Sequence, residues 1–382
     1  MTSDMNDFPF GAAVRHEWDL DPDVAYLNHG SFGVTPRAVL AAQEAWRRRI
    51  ERNPAAFMAS ARGGLLREAA ASVAEYLGAR SDDLVFMENA TSAANAVLRS
   101  LDFKPGDEIL ITSLGYRAVN HAAAYVAART GATLVEAKIA LPVPSAEALV
   151  AAVEARLSPR TRLAVFDHIA SQSAIVFPLE RLIAAAHGVG AQVLIDGAHV
   201  PGQMALDIPG LGADYYVANL HKWLFVPRGC AILWAGRERQ RDLHPLTISH
   251  GYGQGFLAEF DWTGTRDLSH WLAAPEGIAC HRRLGGARLM ERNRDLVREM
   301  AAMLARRWGT GLAAPAEMFA AMAVVRLPES PRDALELTQE LRDRHRIEAP
   351  VHRIDGALWV RIAAQAYNER ADYERLAAAF IP

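Results

Sequence analysis

The sequence predicts an α/β fold built on a largely parallel sheet with helices on both faces. Three observations carry this. Short apolar runs of strand length alternate in order with longer Ala-rich helical stretches. No internal repeat of solenoid period replaces that alternation. The chain has 382 residues, 51% hydrophobic and 22% charged, which allows a large buried core divided between two domains and is outside the range of disordered chains.

The apolar runs are Leu84 to Met87, Glu108 to Thr112, Leu163 to Phe166, Val193 to Ile195 and Cys230 to Trp234. Helical stretches lie between them at Ala90 to Ser100, Ala118 to Thr130, Ala146 to Leu157 and Leu179 to Gly188. Lys104-Pro105-Gly106-Asp107 is a turn into a strand, and Pro227-Arg228-Gly229 turns the chain into the run at Cys230. From Leu243 to Thr265 the pattern weakens. Gly251, Gly253, Gly255 and Gly264 mix there with Tyr252, Phe256, Phe260 and Trp262, and a long irregular segment in a compact domain is more often functional than idle. A long helical stretch, Trp271 to Trp308, follows. Then comes a short α+β pattern: Met322 to Leu327, a helix from Arg332 to His345, a strand at Ala357 to Ile362 and a last helix from Glu369 to Phe380. The domain boundary is expected near 265 to 290.

Composition excludes several classes. Net charge is −3, from 41 basic and 44 acidic residues, so no electrostatic footprint for nucleic acid or anionic lipid exists. The cluster Arg47-Arg48-Arg49 follows a helical stretch and reads as a solvated helix face. Two cysteines, Cys230 and Cys280, form neither metal-ligand spacing nor a disulfide framework, which fits a reducing compartment. Met1 to Trp18 carries Asp4, Asp7 and Glu17 without an apolar core, unlike a signal peptide. No apolar run approaches the roughly 20 residues that span a bilayer. A soluble, cytoplasmic protein without a metal is expected.

Three segments carry chemistry. Val193-Leu194-Ile195-Asp196-Gly197-Ala198-His199 ends an apolar run in a carboxylate, at the strand end where open α/β sheets bind ligands. An Asp there also serves plain turns and caps. Val217-Ala218-Asn219-Leu220-His221-Lys222-Trp223-Leu224 sets a lysine among apolar and aromatic residues. Desolvation lowers a lysine's pKa and makes its amine a nucleophile toward carbonyls; an exposed lysine after a strand is the bland reading. Met87-Glu88-Asn89-Ala90-Thr91-Ser92 runs a strand into a helix through hydroxyl residues, a start that suits a phosphate or merely an N-cap. Together a phosphate cup, a strand-end carboxylate and a lysine are the parts of a pyridoxal 5′-phosphate (PLP) site. The carboxylate keeps the pyridine nitrogen protonated and the lysine takes up the aldehyde as a Schiff base.

The chain here resembles the class V aminotransferase family of fold-type I PLP enzymes, in its isopenicillin N epimerase-like and cysteine desulfurase-like subgroup. The motifs that carry the resemblance stand in the family's order: Tyr26-Leu27-Asn28-His29-Gly30-Ser31-Phe32-Gly33, Asn89-Ala90-Thr91, Asp167-His168, Asp196-Gly197-Ala198-His199, Asn219-Leu220-His221-Lys222-Trp223, Trp262-Thr263-Gly264-Thr265-Arg266-Asp267 and Trp359-Val360-Arg361-Ile362. The resemblance implies a large PLP domain over 25–270 with a mainly parallel seven-stranded sheet. It implies a smaller C-terminal α+β domain over 271–382, with an N-terminal segment, 1–24, packed near it. By the same resemblance Lys222 is the Schiff-base lysine, Asp196 the partner of the ring nitrogen and His199 the neighbour of the phenolic oxygen. Ser171 and Gln172 lie near that edge. Ala90, Thr91, Asn219 and His221 hold the phosphate. Thr265 reaches the phosphate of a neighbouring subunit, which implies a homodimer. Tyr116 stacks on the ring, although Ser113-Leu114-Gly115 precede it where many relatives carry a histidine. Arg361 grips the substrate carboxylate with its guanidinium fork, and Asn28, His29 and Arg266 line the substrate side.

The implied chemistry begins at the α-carbon of an amino acid and then divides into epimerisation, C–S bond cleavage or transamination. Neither Cys230, which opens a strand, nor Cys280, inside a helical stretch, looks like the mobile loop cysteine of a sulfur-carrier desulfurase. A PLP-fold protein used only for binding or regulation is the non-enzyme alternative, and the lysine and aspartate speak against it. A nucleotide-binding protein should show GxGxxG or GxxxxGK[ST] after a strand, and neither is present in that context.

Overall fold

A computed structural model describes residues 9–380. Residues 1–8 of the N-terminal segment, with Asp4 and Asp7, and residues 381–382 lie outside the described part.

The centre is a seven-stranded sheet ordered Leu84–Met87, Ala231–Ala235, Tyr215–Asn219, Gln192–Asp196, Thr161–Asp167, Glu108–Thr112, Thr133–Ala137. All neighbours pair in parallel except at Ala231–Ala235, which runs antiparallel to both strands beside it. Central strands such as Tyr215–Asn219 and Ala231–Ala235 are buried throughout, because helices cover both sheet faces and leave no polar side to alternate with. Leu84–Met87, Glu108–Thr112, Ala90–Ser100 and Leu179–Gly188 form at the expected positions. The strand Thr133–Ala137 falls on the sheet edge, where its half-exposed residues lack the continuous apolar run of its neighbours.

The stretch Trp271 to Trp308 differs from expectation. It is not one helix but three, Ser269–Leu272, Ala274–Arg283 and Ala287–Trp308. Pro275 starts the second at a position where its missing N–H costs nothing. Gly285 and Gly286, at φ +117° and +55°, break the chain before the third.

A three-stranded antiparallel sheet, Val351–Ile354, Ala357–Ala363 and Met322–Arg326, packs with Ala287–Trp308, and Arg370–Ala379 packs on that same helix. The chain start closes on this part of the molecule. Gly11 N–H donates to Ala366 O at 2.7 Å, and Trp18 meets Tyr367 edge to face at 5.0 Å. Ala25–Tyr26 pairs in parallel with Ile347–Glu348 and so aims the loop after Tyr26 toward the large sheet.

Candidate active site

The site forms where parallel strands end. Asp167, Asp196 and Asn219 terminate three adjacent strands at their carboxyl edges, the edge at which open α/β sheets bind ligands. A cavity of about 610 Å³ opens there. Its wall includes Ala90, Thr91, Tyr116, Ser171, Gln172, Asp196, His199, Asn219, His221, Lys222 and Arg361. Most residues singled out in the sequence therefore meet on one surface.

Local structure fixes each of them. Asn89 caps the helix Ala90–Ser100, its side chain accepting from Ser92 N–H at 2.8 Å. The Asn219 side chain accepts from Ala90 N–H at 2.9 Å and ties the helix start to the strand end. His221 Nδ1–H donates to Cys230 O at 2.9 Å. The segment after it is tightly turned: Phe225 is buried at φ +63°, a costly conformation for a large side chain. Gly33 lies against the same segment at φ +66°, and a Cβ there would stand 2.0 Å from His221 O. The loop with Ser171 and Gln172 is likewise held by Ala174 at φ +58° and by Ala174 N–H donating to Ala170 O at 2.9 Å.

The electrostatics follow from burial. Desolvation pushes the Lys222 amine down from 10.5 to about 8, with Asp196 opposing and Arg361 assisting. Trp223 indole N–H donates to His199 Nδ1 at 3.4 Å. Nε2 of neutral His199 lies 3.1 Å from Lys222 Nζ, accepting from the amine when it is charged and donating to it when it is free. Burial, helped by the Lys222 charge, holds His199 well below the usual imidazole range. Burial raises the Asp196 carboxyl, against the Ala198 N–H that donates to it at 3.0 Å and the nearby Lys222. Arg361 is buried, and desolvation lowers it to about 10. Its guanidinium donates to Ser171 O at 2.5 Å, Asn28 Oδ1 at 2.9 Å and Ser31 Oγ at 2.6 Å.

Four expected residues stand off the cavity wall. His29 is 0% exposed and both its nitrogens are engaged, with Tyr367 hydroxyl at 2.8 Å and Lys222 O at 3.0 Å. It supports the lysine segment from behind and is not part of the cavity wall. Arg266 pairs with Glu88 and lies 5.0 Å from the Trp271 ring, away from the cavity. Thr265 is exposed beside Arg47 and Met58. Asn28 touches the site only through Arg361. Asp167, Ser31, Phe32, Arg117 and His352 also stand on the wall; the first three lie in the motifs of the sequence resemblance but were given no site role, and the last two carried no signal. The Asp167-His168 motif was the one available signal for Asp167.

The fold and this site define a PLP-type α/β enzyme architecture, and comparison bears out the family. The model for class-V aminotransferases matches residues 26–341, and the chain belongs to that family. The chain is 36% identical to putative L-cysteine desulfhydrase 1 of Oryza sativa subsp. japonica, over 96% of its length and 84% of the relative's. It is 34% identical to isopenicillin N epimerase of Amycolatopsis lactamdurans, over 96% and 97% of the two chains. Among solved structures, a complex of the cystine C–S lyase C-DES with cysteine persulfide superposes with a TM-score of 0.83 at 22% identity, covering 94% of this chain and 97% of that one. The expected fold-type I architecture is the one adopted.

Proposed function

We propose that this chain is a PLP-dependent enzyme that takes a proton from the α-carbon of an amino acid and carries the reaction on to C–S bond cleavage. The observation that supports it is the meeting of Lys222, Asp196 and Arg361 on one cavity wall beside a helix N-terminus. The donor set suits the cofactor: a half-buried amine of lowered pKa, a buried carboxylate and a helix start with backbone and hydroxyl donors. When bound, PLP supplies an aldehyde that takes up amines and a cationic ring that withdraws electron density from the α-carbon.

The chain's residues divide the remaining work. Lys222 would hold the cofactor, and a pKa of about 8 leaves about a tenth of the free amine neutral at pH 7, ready to take a proton. Asp196 would keep the ring nitrogen protonated and His199 would face the phenolic oxygen. Thr91, Asn219 and His221 would hold the phosphate, at a helix start whose Ala90 N–H is tied to the Asn219 side chain. Tyr116, 42% exposed at the cavity mouth, would cover the ring. Arg361, pre-set by Asn28, Ser31 and Ser171, would orient the substrate carboxylate, with Gln172 at the same edge. Neither cysteine lines the cavity, and burial raises both thiols, Cys280 to about 11. This supports direct elimination of sulfide over transfer to a cysteine, and two free buried thiols suit the reducing cytoplasm.

Thr265 and Arg266 lie outside this chain's cavity. That supports a homodimer in which a second copy delivers Thr265 to the phosphate. The same reading divides the chain into a PLP domain over 25–270 and a small domain over 271–382. Among the described residues, no helix is long and apolar enough to cross a membrane.

The purified protein should take up PLP and turn yellow, with borohydride fixing the cofactor in wild type but not in Lys222→Ala. A screen of L-amino acids should release sulfide and keto acid together from L-cysteine or a related thiol amino acid. Colourless protein that refuses added PLP ends this reading; a D-enantiomer without sulfide replaces the lyase outcome with epimerisation.

A further inference from the structure

The strands Thr161–Asp167 and Gln192–Asp196 end in register, with Asp167 opposite Asp196. Register partners on neighbouring parallel strands stand about 4.8 Å apart and point to the same face. Both acids are buried, 5% and 3% exposed, and both line the cavity around Lys222. Among the described residues neither has a salt-bridge partner. Asp196 receives the Ala198 N–H at 3.0 Å, and the Tyr116 backbone N–H faces Asp167.

The surrounding groups supply little compensating charge. Lys222 is the cation that both acids share. Arg361 is committed to Asn28, Ser31 and Ser171. Burial keeps His168 and His199 neutral, and His168 Nδ1 is engaged by the Tyr216 hydroxyl at 2.9 Å. Tyr216 stays protonated, raised by burial and by Asp196. Tyr116 and Arg117 stand at the exposed mouth. Two carboxylates this close, out of water and beside one amine, resist being ionised together. Burial, then the Asp196 charge, raise the Asp167 carboxyl well above the usual range.

We propose that Asp167 and Asp196 form a carboxylate pair holding one proton, carried on Asp167 at neutral pH, so that Asp196 is the single negative charge at the cavity floor. Asp167 is then a positioning residue. Kept neutral, it leaves Asp196 free to face a cation without a second anion beside it. Its role toward the ring nitrogen rests on the PLP reading; the shared proton does not.

The test is infrared difference spectroscopy at pH 7 on wild type, Asp167→Asn and Asp167→Ser, with and without PLP. The expected result is a carboxylic-acid C=O band, shifted in D2O, in wild type minus either variant. Asp167→Asn, an isostere of the neutral acid, should also bind PLP within about threefold of wild type. A difference spectrum holding only carboxylate bands overturns the proposal, as does an Asp167→Asn protein that loses PLP affinity about 100-fold or more. If neither variant folds, wild type decides alone, by whether a carboxylic-acid band persists at pH 7 and vanishes on raising the pH. Wild type that rejects PLP would sink the cofactor reading, while the presence or absence of the band would still decide whether the pair shares a proton.

Discussion

Replacing Lys222 by methionine should stabilise the protein without cofactor in a way that depends on pH. Lys222 is half-buried at the cavity floor, and desolvation lowers its amine from 10.5 to about 8. Below pH 8 both folded and unfolded chains carry the proton, and the folded chain bears the cost of a desolvated charge. The gap between the two values corresponds to about 3 kcal/mol. Between pH 8 and 10.5 the unfolded chain binds a proton that the folded chain has released. Wild-type stability therefore rises with pH there, and the cost is gone above 10.5. By linkage the penalty is about 3 kcal/mol at pH 7 and about 1.4 kcal/mol at pH 9.5. Methionine fills a similar volume but abandons the hydrogen bond between Lys222 Nζ and His199 Nε2, a loss of roughly 1–2 kcal/mol. The amine keeps a hydrogen bond with His199 in both of its charge states, donating when charged and accepting when free, so that loss is similar at the two pH values. Asp167 and Asp196 lose their shared cation in the variant and are raised further, so the variant loses stability as pH rises and the same trend is reinforced. Urea unfolding of both proteins at the two pH values, with equal m-values, should show the advantage of Lys222→Met shrinking by about 2 kcal/mol from pH 7 to 9.5. An advantage that is constant or grows with pH would refute a desolvated amine of depressed pKa.

Four further substitutions have expected outcomes. Asp167→Asn should raise stability at neutral pH, measured by thermal melts; because the folded carboxyl titrates above its ordinary 3.8, wild type loses stability as pH climbs past that value, so the gain should fade below about pH 4. Gly33→Ala should cost about 2 kcal/mol or more and impair PLP uptake, since its Cβ would meet His221 O at 2.0 Å in a left-handed backbone. Gly63→Ala, in a helix with nothing within 4 Å, should be neutral or stabilise by up to about 1 kcal/mol; equal melting shifts for the two glycines would contradict the packing described. Asn28→Ala should raise the amino-acid KM about tenfold while PLP affinity holds, because it unties Arg361 rather than the cofactor cup, and a matched loss of both would remove Arg361 from its role.

What the sequence determined by itself was whatever local pattern encodes. Apolar runs such as Leu84–Met87 and helices such as Ala90–Ser100 form where periodicity and end signals place them, since propensity, burial pattern and capping agree there. The strand-end aspartate, the lysine in its apolar segment and the small-residue helix start were legible for the same reason, each being a local departure from its surroundings. The glycine pair at 285–286 was legible too but was read through as helix. Tertiary structure decided what depends on residues distant in the chain. His29 faced no visible obstacle to lining the site until Tyr367 and the Lys222 carbonyl took both of its nitrogens. Arg266 turned from the cavity because Glu88 stands beside it. Asp167 gained its meaning only from the register of two parallel strands, which sets a second carboxyl against Asp196. Hydrogen-bond partners and strand registers are long-range geometric facts. The burial that moves a lysine to about 8 exists only once the sheet, the loop after Tyr26 and the three-stranded sheet have closed around it.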